Sequence, residues 1–223
     1  MLMVTELIGF GATTAGAAAV TSIVKQAEAT STTSTITAPA DIIAGDMLVL
    51  LDRAHGSSLP TDVTPTGWTT LNNQSNGSTT RQNLSYKLAV GTEASSSITG
   101  MNGADNNWKI MQVYRPNVAA TTLTAGGGVG TITNGDPAAQ TITSSAGAAP
   151  LVVFGGYGVN DANVIDPRTF TVGGSAAKDG ETANSTELYL AWKIYNTSPA
   201  DVVIDQEDEG GANTLNGGYV SAS

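Results

Sequence analysis

The chain has 223 residues and no cysteine, and its nineteen acidic and nine basic residues give a formal net charge of −10. The absence of cysteine excludes disulfides, zinc–thiolate sites and cysteine nucleophiles. The negative charge opposes sequence-independent binding to nucleic acid or to an anionic membrane. Charged residues make up 13% of the chain, about half of the share usual in soluble domains, so neutral polar groups must cover much of the surface.

The first thirty residues are predicted to form an N-terminal arm that contains a short helix or a short strand. Val20, Ile23, Val24 and Ala27 have the spacing of one helix face, but the valines and neighbouring threonine favour a strand, so both alternatives stay open. No basic residue precedes the small, weakly apolar segment 11–20, and we therefore do not interpret it as a signal peptide. No run of eighteen apolar residues predicts a membrane span.

From residue 31 to residue 223 the sequence predicts an all-β fold, an antiparallel double-sheet sandwich of jelly-roll type. Short runs of β-branched and aromatic residues are interrupted by Gly, Pro, Asn and Asp about every ten residues, which is typical of sandwiches and barrels. The predicted strands are Thr32–Thr37, Met47–Asp52, Gly67–Leu71, Arg81–Val90, Ser95–Thr99, Trp108–Arg115, Thr121–Ala125, Gln140–Ser144, Leu151–Gly155, Thr169–Val172, Glu187–Tyr195, Asp201–Ile204 and Leu215–Ser221.

Hydrophobic patterns inside these strands predict their positions in the sheets. The runs 47–51 and 151–154 are apolar without interruption, which predicts two central strands buried on both faces. Alternation in the runs 84–88 and 108–114 predicts one packed face and one solvated face. Asn76-Gly77 and Asp179-Gly180 predict two-residue type I′ hairpin turns.

The chain resembles itself at a shift of about 105 residues, which predicts two similar halves, 31–115 and 135–223. The glycine-rich connection 117–135 would be the crossover or linker between them. The alternatives are one sandwich made from both halves, two small sandwiches in tandem, or a chance similarity of two β-meanders. The matched segments are Thr35-Ile36-Thr37 with Thr141-Ile142-Thr143, Met47–Leu50 with Leu151–Phe154, Trp68-Thr69 with Phe170-Thr171, Asn76-Gly77 with Asp179-Gly180, Leu84–Leu88 with Leu190–Ile194, and Ile98 with Ile204.

Candidate catalytic and ligand-binding residues are few. His55, the only histidine, lies in a Gly/Ser-rich stretch without a nucleophile motif, so we interpret it as an exposed loop residue. The acidic cluster 205–209 lacks EF-hand spacing, and Asp161 with Asp166 is an unsupported carboxylate pair. We expect no catalytic residue, no metal site and no cofactor. Tyr157, in a predicted loop, is a possible platform for stacking of a glycan.

Four segments in the first half together resemble a β-rich module of tailed-bacteriophage structural proteins: Ile36–Pro39, Ile43–Leu50, Pro65–Thr69 and Tyr86–Ala89. In that module a Gly-Asp-Leu-Leu-Val strand is followed by Pro-x-Gly-Trp and by a Tyr-Lys-x-Ala strand. The resemblance covers residues 31 to about 115 well and the rest of the chain only loosely. It implies a non-enzymatic virion protein, either a capsid decoration (cement) protein or part of a tail fibre or baseplate that recognises host-surface glycans.

The resemblance also implies partners and a location, the virion. Fibre proteins with this module are often longer, whereas here the module nearly fills the chain, which favours a decoration protein on the head surface. The partners would be the major capsid protein or other virion subunits and further copies of the chain, by analogy in a trimer, with no nucleic acid and no membrane. The apolar residues of the arm are the candidates for contact with a neighbouring subunit: Leu2, Val4, Leu7, Ile8 and Phe10.

Overall fold

A computed structural model describes residues 18–134, 139–143, 149–159, 168–172, 175–176, 178–184, 188–197, 199, 201–206 and 212–223. All regular structure in these residues is β, which confirms the predicted fold class. The strands are β1 Ile23–Ser31, β2 Thr35–Thr37, β3 Met47–His55, β4 Thr69–Asn76, β5 Thr80–Leu88, β6 Ser97–Thr99, β7 Asn106–Pro116, β8 Leu123–Asn134, β9 Gln140–Ile142, β10 Leu151–Val159, β11 Arg168–Val172, β12 Ser175–Ala176, β13 Gly180–Asn184, β14 Leu188–Tyr195, β15 Val202–Gln206 and β16 Ala212–Ala222.

Two five-stranded antiparallel sheets form the centre of the molecule. The first large sheet has the order β1-β7-β3-β5-β4, and the second large sheet has the order β13-β14-β10-β16-β8. Strands β3 and β10 are each the third of five, which confirms that the two unbroken apolar runs are central strands. The strand alternative for residues 23–31 is the one observed, so the first large sheet begins inside the predicted arm.

Two small sheets cover the outer faces of the large sheets, so the sandwich has four layers. Strands β2 and β6 form the first small sheet, and β12-β11-β15-β9 form the second. The central core joins Met47, Val49 and Leu51 of β3 to Val152 and Phe154 of β10. Separate cores lie between each large sheet and its small sheet.

The outer face of the first large sheet is therefore buried, in contrast to the predicted solvated face. Met111 and Val113 of β7 pack against Ile36 of β2 and Ile98 of β6. Lys109, which the alternation placed in solvent, is 0% exposed. The two short strands cover this face together with loop residues such as Ala38, Ile42 and Ala89.

The two large sheets have corresponding connectivity. Strands β1 to β7 correspond in order to β8, β9, β10, β13, β14, β15 and β16, and β11 with β12 is an addition in the second half. Contacts between the sheets also correspond, because β4 lies against β8 and β1 lies against β13. The first large sheet comes from residues 23–116 and the second from residues 123–222, so each part begins before the predicted half, and the two parts share the central core. Duplication and a jelly-roll type stay predictions, because connectivity alone establishes neither.

The register of the corresponding central strands differs from the sequence comparison by one residue. Met47 lies opposite Leu88 and Tyr114 and faces the central core. Leu151, its predicted match, faces the second small sheet, and Val152 has the position corresponding to Met47. An unbroken apolar run has no period of two from which the facing residues could be read.

Most of the glycine-rich segment 117–135, predicted to be a crossover or linker, is strand β8, at the edge of the second large sheet. Its glycines let β4 of the first large sheet approach closely. A Cβ on Gly128 would lie 2.5 Å from the carbonyl oxygen of Leu71, and a Cβ on Gly130 would contact the side chain of Gln74.

The two hairpin predictions are also corrected. Asn76 pairs with Thr80, so the turn between β4 and β5 has three residues, and among them only Gly77 has a positive φ, of 57°. Gly180 is a strand residue opposite Trp192, and a Cβ on it would contact the indole ring. This glycine makes room for an aromatic ring and does not form a turn.

Candidate functional site

An open groove of about 340 Å³ lies beside β6 on the outer side of the first large sheet. One wall is β6, and the other is the segment Pro65 to Trp68 that leads into β4. Lys87 of β5 and Glu93 of the loop between β5 and β6 also line the groove. The site thus combines an indole ring, an ion pair and several hydroxyl groups.

The wall that carries Trp68 is held by a turn. The Trp68 N–H donates to the carbonyl oxygen of Pro65 at 3.0 Å, and Gly67 has φ of +80°, a conformation that glycine adopts without strain. The indole packs on one side against the core under the first small sheet and stays half-buried. An aromatic residue next to a strand is usually part of the core, and only the position of Trp68 beside the groove makes it a candidate for binding.

Lys87 and Glu93 form an ion pair of 2.9 Å in the groove. The Glu93 carboxylate also accepts backbone N–H groups of its own loop, from Val90 at 3.1 Å, Gly91 at 2.9 Å and Thr92 at 3.1 Å. Burial alone would raise the pKa of Glu93, but these hydrogen bonds and the Lys87 ammonium outweigh it, and the pKa lies below its usual value. Glu93 therefore fixes the loop and leaves the groove without net charge from this pair.

Strand β6 has a free edge that faces the groove. The residues that flank β6 bond those that flank β2: the Gly100 N–H donates to Ser34 O at 3.0 Å, and the Ala38 N–H donates to Ser96 O at 2.9 Å. Ile98, two positions from Ser96 and from Gly100 and opposite Ile36, is therefore the β6 residue that bonds β2. Because bonded and non-bonded pairs alternate in antiparallel sheets, Ser97 and Thr99 turn their N–H and C=O groups away from β2. In the described part of the chain β6 pairs with β2 alone.

The Gly45-Asp46 segment of the resemblance has a structural role. Asp46 is buried and accepts hydrogen bonds from Arg115, from Nε at 2.9 Å and from Nη2 at 2.8 Å, and from the Ile43 N–H at 3.0 Å. Gly45 has φ of +88°, and a Cβ on it would lie 2.7 Å from Ala119. The segment fastens the start of β3 to the end of β7.

Tyr157 is not a glycan platform. It lies inside strand β10, and its side chain is 0% exposed in the core beneath the second small sheet. The glycines around it resembled a loop, but they give space to large neighbours: the Tyr157 ring covers Gly155, and Leu51 packs on Gly156.

His55 ends β3 and is only partly exposed, in contrast to the predicted loop position. Its Nδ1 lies 2.8 Å from Thr80 Oγ1 and its Nε2 lies 3.9 Å from Asp105 Oδ2. Because Thr80 is 1% exposed, a substrate cannot reach its hydroxyl, and this arrangement cannot act as a nucleophilic triad.

Other predicted residues lie outside the described part of the chain. They are the subunit-contact candidates Leu2, Val4, Leu7, Ile8 and Phe10, the carboxylate pair Asp161 and Asp166, and Glu207, Asp208 and Glu209 of the acidic cluster. Among the described residues, no three His, Cys, Asp or Glu side chains are grouped as metal ligands would be. The same residues contain no helix long and apolar enough to cross a membrane.

Comparisons of the chain with protein-family models, with curated proteins and with solved structures find no match.

Proposed function

We propose that the chain is a non-enzymatic structural protein of a tailed-bacteriophage virion, a decoration protein that binds the head surface. The supporting observation is that the four sequence segments carrying the resemblance adjoin one another: the segments 43–50 and 65–69 pair with the segment 86–89, and the segment 36–39 packs against the same core. Gly45 N–H donates to Ala89 O at 2.9 Å, and Ala89 N–H donates to Asp46 O at 2.8 Å. Gly67 lies beside Lys87, whose Nζ would be 3.5 Å from a Cβ on that glycine.

A decoration protein acts by mass action. A subunit that binds only the assembled shell lowers the free energy of the shell at every occupied site. The stabilisation grows with the ratio of the free subunit concentration to the Kd for the shell. A β scaffold of several packed sheets suits this role, because it presents a rigid surface. Ion pairs within the fold also hold its strands in place. Asp46 with Arg115 and Asp52 with Lys109 are such pairs.

The alternative is a receptor-binding module of a tail fibre or baseplate. The open groove beside Trp68 favours it, since a half-buried indole with surrounding hydroxyl groups can stack on and bond a sugar ring. The two proposals place the protein at different positions on the particle.

Labelling of intact phage particles with gold-conjugated antibodies against this chain tests the proposal. We expect many labels over the head, and we expect that particles lacking the protein lose their genome at a lower temperature than complete particles. A few labels confined to the tail would replace the decoration role by the receptor-binding alternative. Particles without label would refute both.

A further inference from the structure

The two small sheets differ in whether their corresponding strands, β6 and β15, are paired on both edges. Strand β15 of the second half has neighbours on both edges, β9 on one side and β11 on the other. Strand β6, which corresponds to β15, has β2 on one side and the groove on the other. The groove therefore occupies the place that β11 fills in the second half.

The segment that could have filled this place in the first half lies apart from β6. The chain between β3 and β4 corresponds in order to the chain between β10 and β13, which contains β11. Within it the sequence comparison predicts that Trp68 matches Phe170, and Phe170 pairs with Ile204 of β15. In the first half the Pro65 turn directs Trp68 to the far wall of the groove. Among the described strands, the same edge is thus closed by the chain's own backbone in the second half and has no paired strand in the first half.

We propose that the free edge of β6 binds an extended polypeptide strand from another protein, which lies in the groove between β6 and Trp68. The incoming backbone forms antiparallel hydrogen bonds with the N–H and C=O groups of Ser97 and Thr99. The identification of the partner as a neighbouring virion subunit rests on the proposed function; the binding mode does not.

The chemistry of the groove defines the strand that fits. Successive groove-facing residues of β6 are two positions apart, about 6.6 Å, which is the repeat of an extended chain. Lys87 and Glu93 neutralise each other, so an uncharged segment is preferred. The Trp68 indole offers an apolar contact to one large side chain. The uncharged part of β11, Thr169–Val172, with one aromatic residue between two threonines, meets these requirements.

Titration of the ¹⁵N-labelled full chain with a blocked synthetic peptide of the uncharged sequence Thr169–Val172 tests the proposal by amide chemical shifts. We expect saturable shifts at Ser97, Thr99 and the Trp68 indole. Ser97→Pro removes a groove-facing N–H without removing a bond to β2, and should weaken binding roughly tenfold. Thr37→Pro is the matched control on the other edge of the same pair and should bind like the unmodified chain.

Three results would overturn the proposal: no saturable shift, equal binding to the Ser97→Pro variant with its fold intact, or equal binding of a peptide carrying Phe170→Pro. Groove shifts caused by N-acetylglucosamine, galactose or mannose, with none from the peptide, would replace the strand by a sugar ligand. These results leave the particle labelling unaffected, so a failure here and a failure of the virion role can be told apart.

Discussion

The Lys109 ammonium lies 2.6 Å from the Asp52 carboxylate, directly opposite it on the neighbouring strand, and neither side chain is more than 2% exposed. The pair also holds the loop after β6, because Lys109 donates to Met101 O at 2.9 Å and the Met101 N–H donates to Asp52 at 2.6 Å. Burial raises the pKa of Asp52, and the charge of Lys109 only partly offsets this. Each charge is thus tolerated in the core because of the other.

Removal of one partner of this pair should be much more harmful than removal of both. Lys109→Met leaves a buried carboxylate without its cation and is expected to lower the free energy of unfolding by about 3–5 kcal/mol, measured by denaturant titration. Adding Asp52→Leu should recover most of the loss. Lys178→Met, in the partly exposed pair with Glu181, is the control and should cost less than about 1 kcal/mol. A small loss for Lys109→Met would contradict this account.

The sequence predicted the strands better than their surroundings. The unbroken apolar runs identified β3 and β10 as central, because only a strand covered on both faces tolerates such a run. The alternation around Lys109 indicates a solvated face. Lys109 is buried because its carboxylate partner is Asp52, and Asp52 lies 57 residues earlier in the sequence, outside the local pattern. Long-range partners of this kind do not appear in a local pattern.

The groove could not be predicted for the same reason. Its walls come from segments about thirty residues apart, and Trp68 has the local context of a core aromatic. What opens the groove is that the Trp68 segment does not pair with β6, and pairing between distant strands is a property of the tertiary structure. The fold class and the central strands were therefore predictable, but the site was not.

Acid should weaken the protein through Glu93. Its pKa lies below the usual value in the folded state, so the unfolded chain binds more protons near pH 4.5, and the stability from this group is lost as pH falls through the folded pKa. Glu93→Gln removes this dependence. When unfolding free energies are measured from pH 7 to pH 3, the values for the unmodified chain and for the Glu93→Gln variant should therefore converge at the acidic end. Parallel curves would show that Glu93 does not titrate in this way.

The two glycines of β8 that face β4 should differ in their tolerance of alanine. A Cβ on Gly128 meets the backbone oxygen of Leu71 at 2.5 Å, which can move only if β4 moves. A Cβ on Gly130 meets the side chain of Gln74, which can rotate away. Neither glycine has a positive φ, so the close contact decides. Gly128→Ala should cost about 1–3 kcal/mol of unfolding free energy, and Gly130→Ala less than half of that. The reverse order would contradict the packing of β4 on β8.

The two halves should unfold together. Gln112 of β7 crosses between the large sheets and donates to Leu190 O at 3.1 Å and to Thr182 Oγ1 at 2.9 Å, and its own oxygen accepts the Tyr114 hydroxyl at 2.6 Å. Because the halves also share the central core, calorimetry should give one transition with equal calorimetric and van't Hoff enthalpies.

Gln112→Leu removes these three hydrogen bonds, leaves the buried Tyr114 hydroxyl without this acceptor, and should lower the unfolding free energy by about 2–3 kcal/mol while the transition stays single. Gln26→Leu, which removes a surface hydrogen bond to Asp41, is the matched control and should change the free energy by about 0.5 kcal/mol or less. Two separate transitions in the unmodified chain would mean that each half is stable alone, and the tandem arrangement of two small sandwiches would then describe its energetics better.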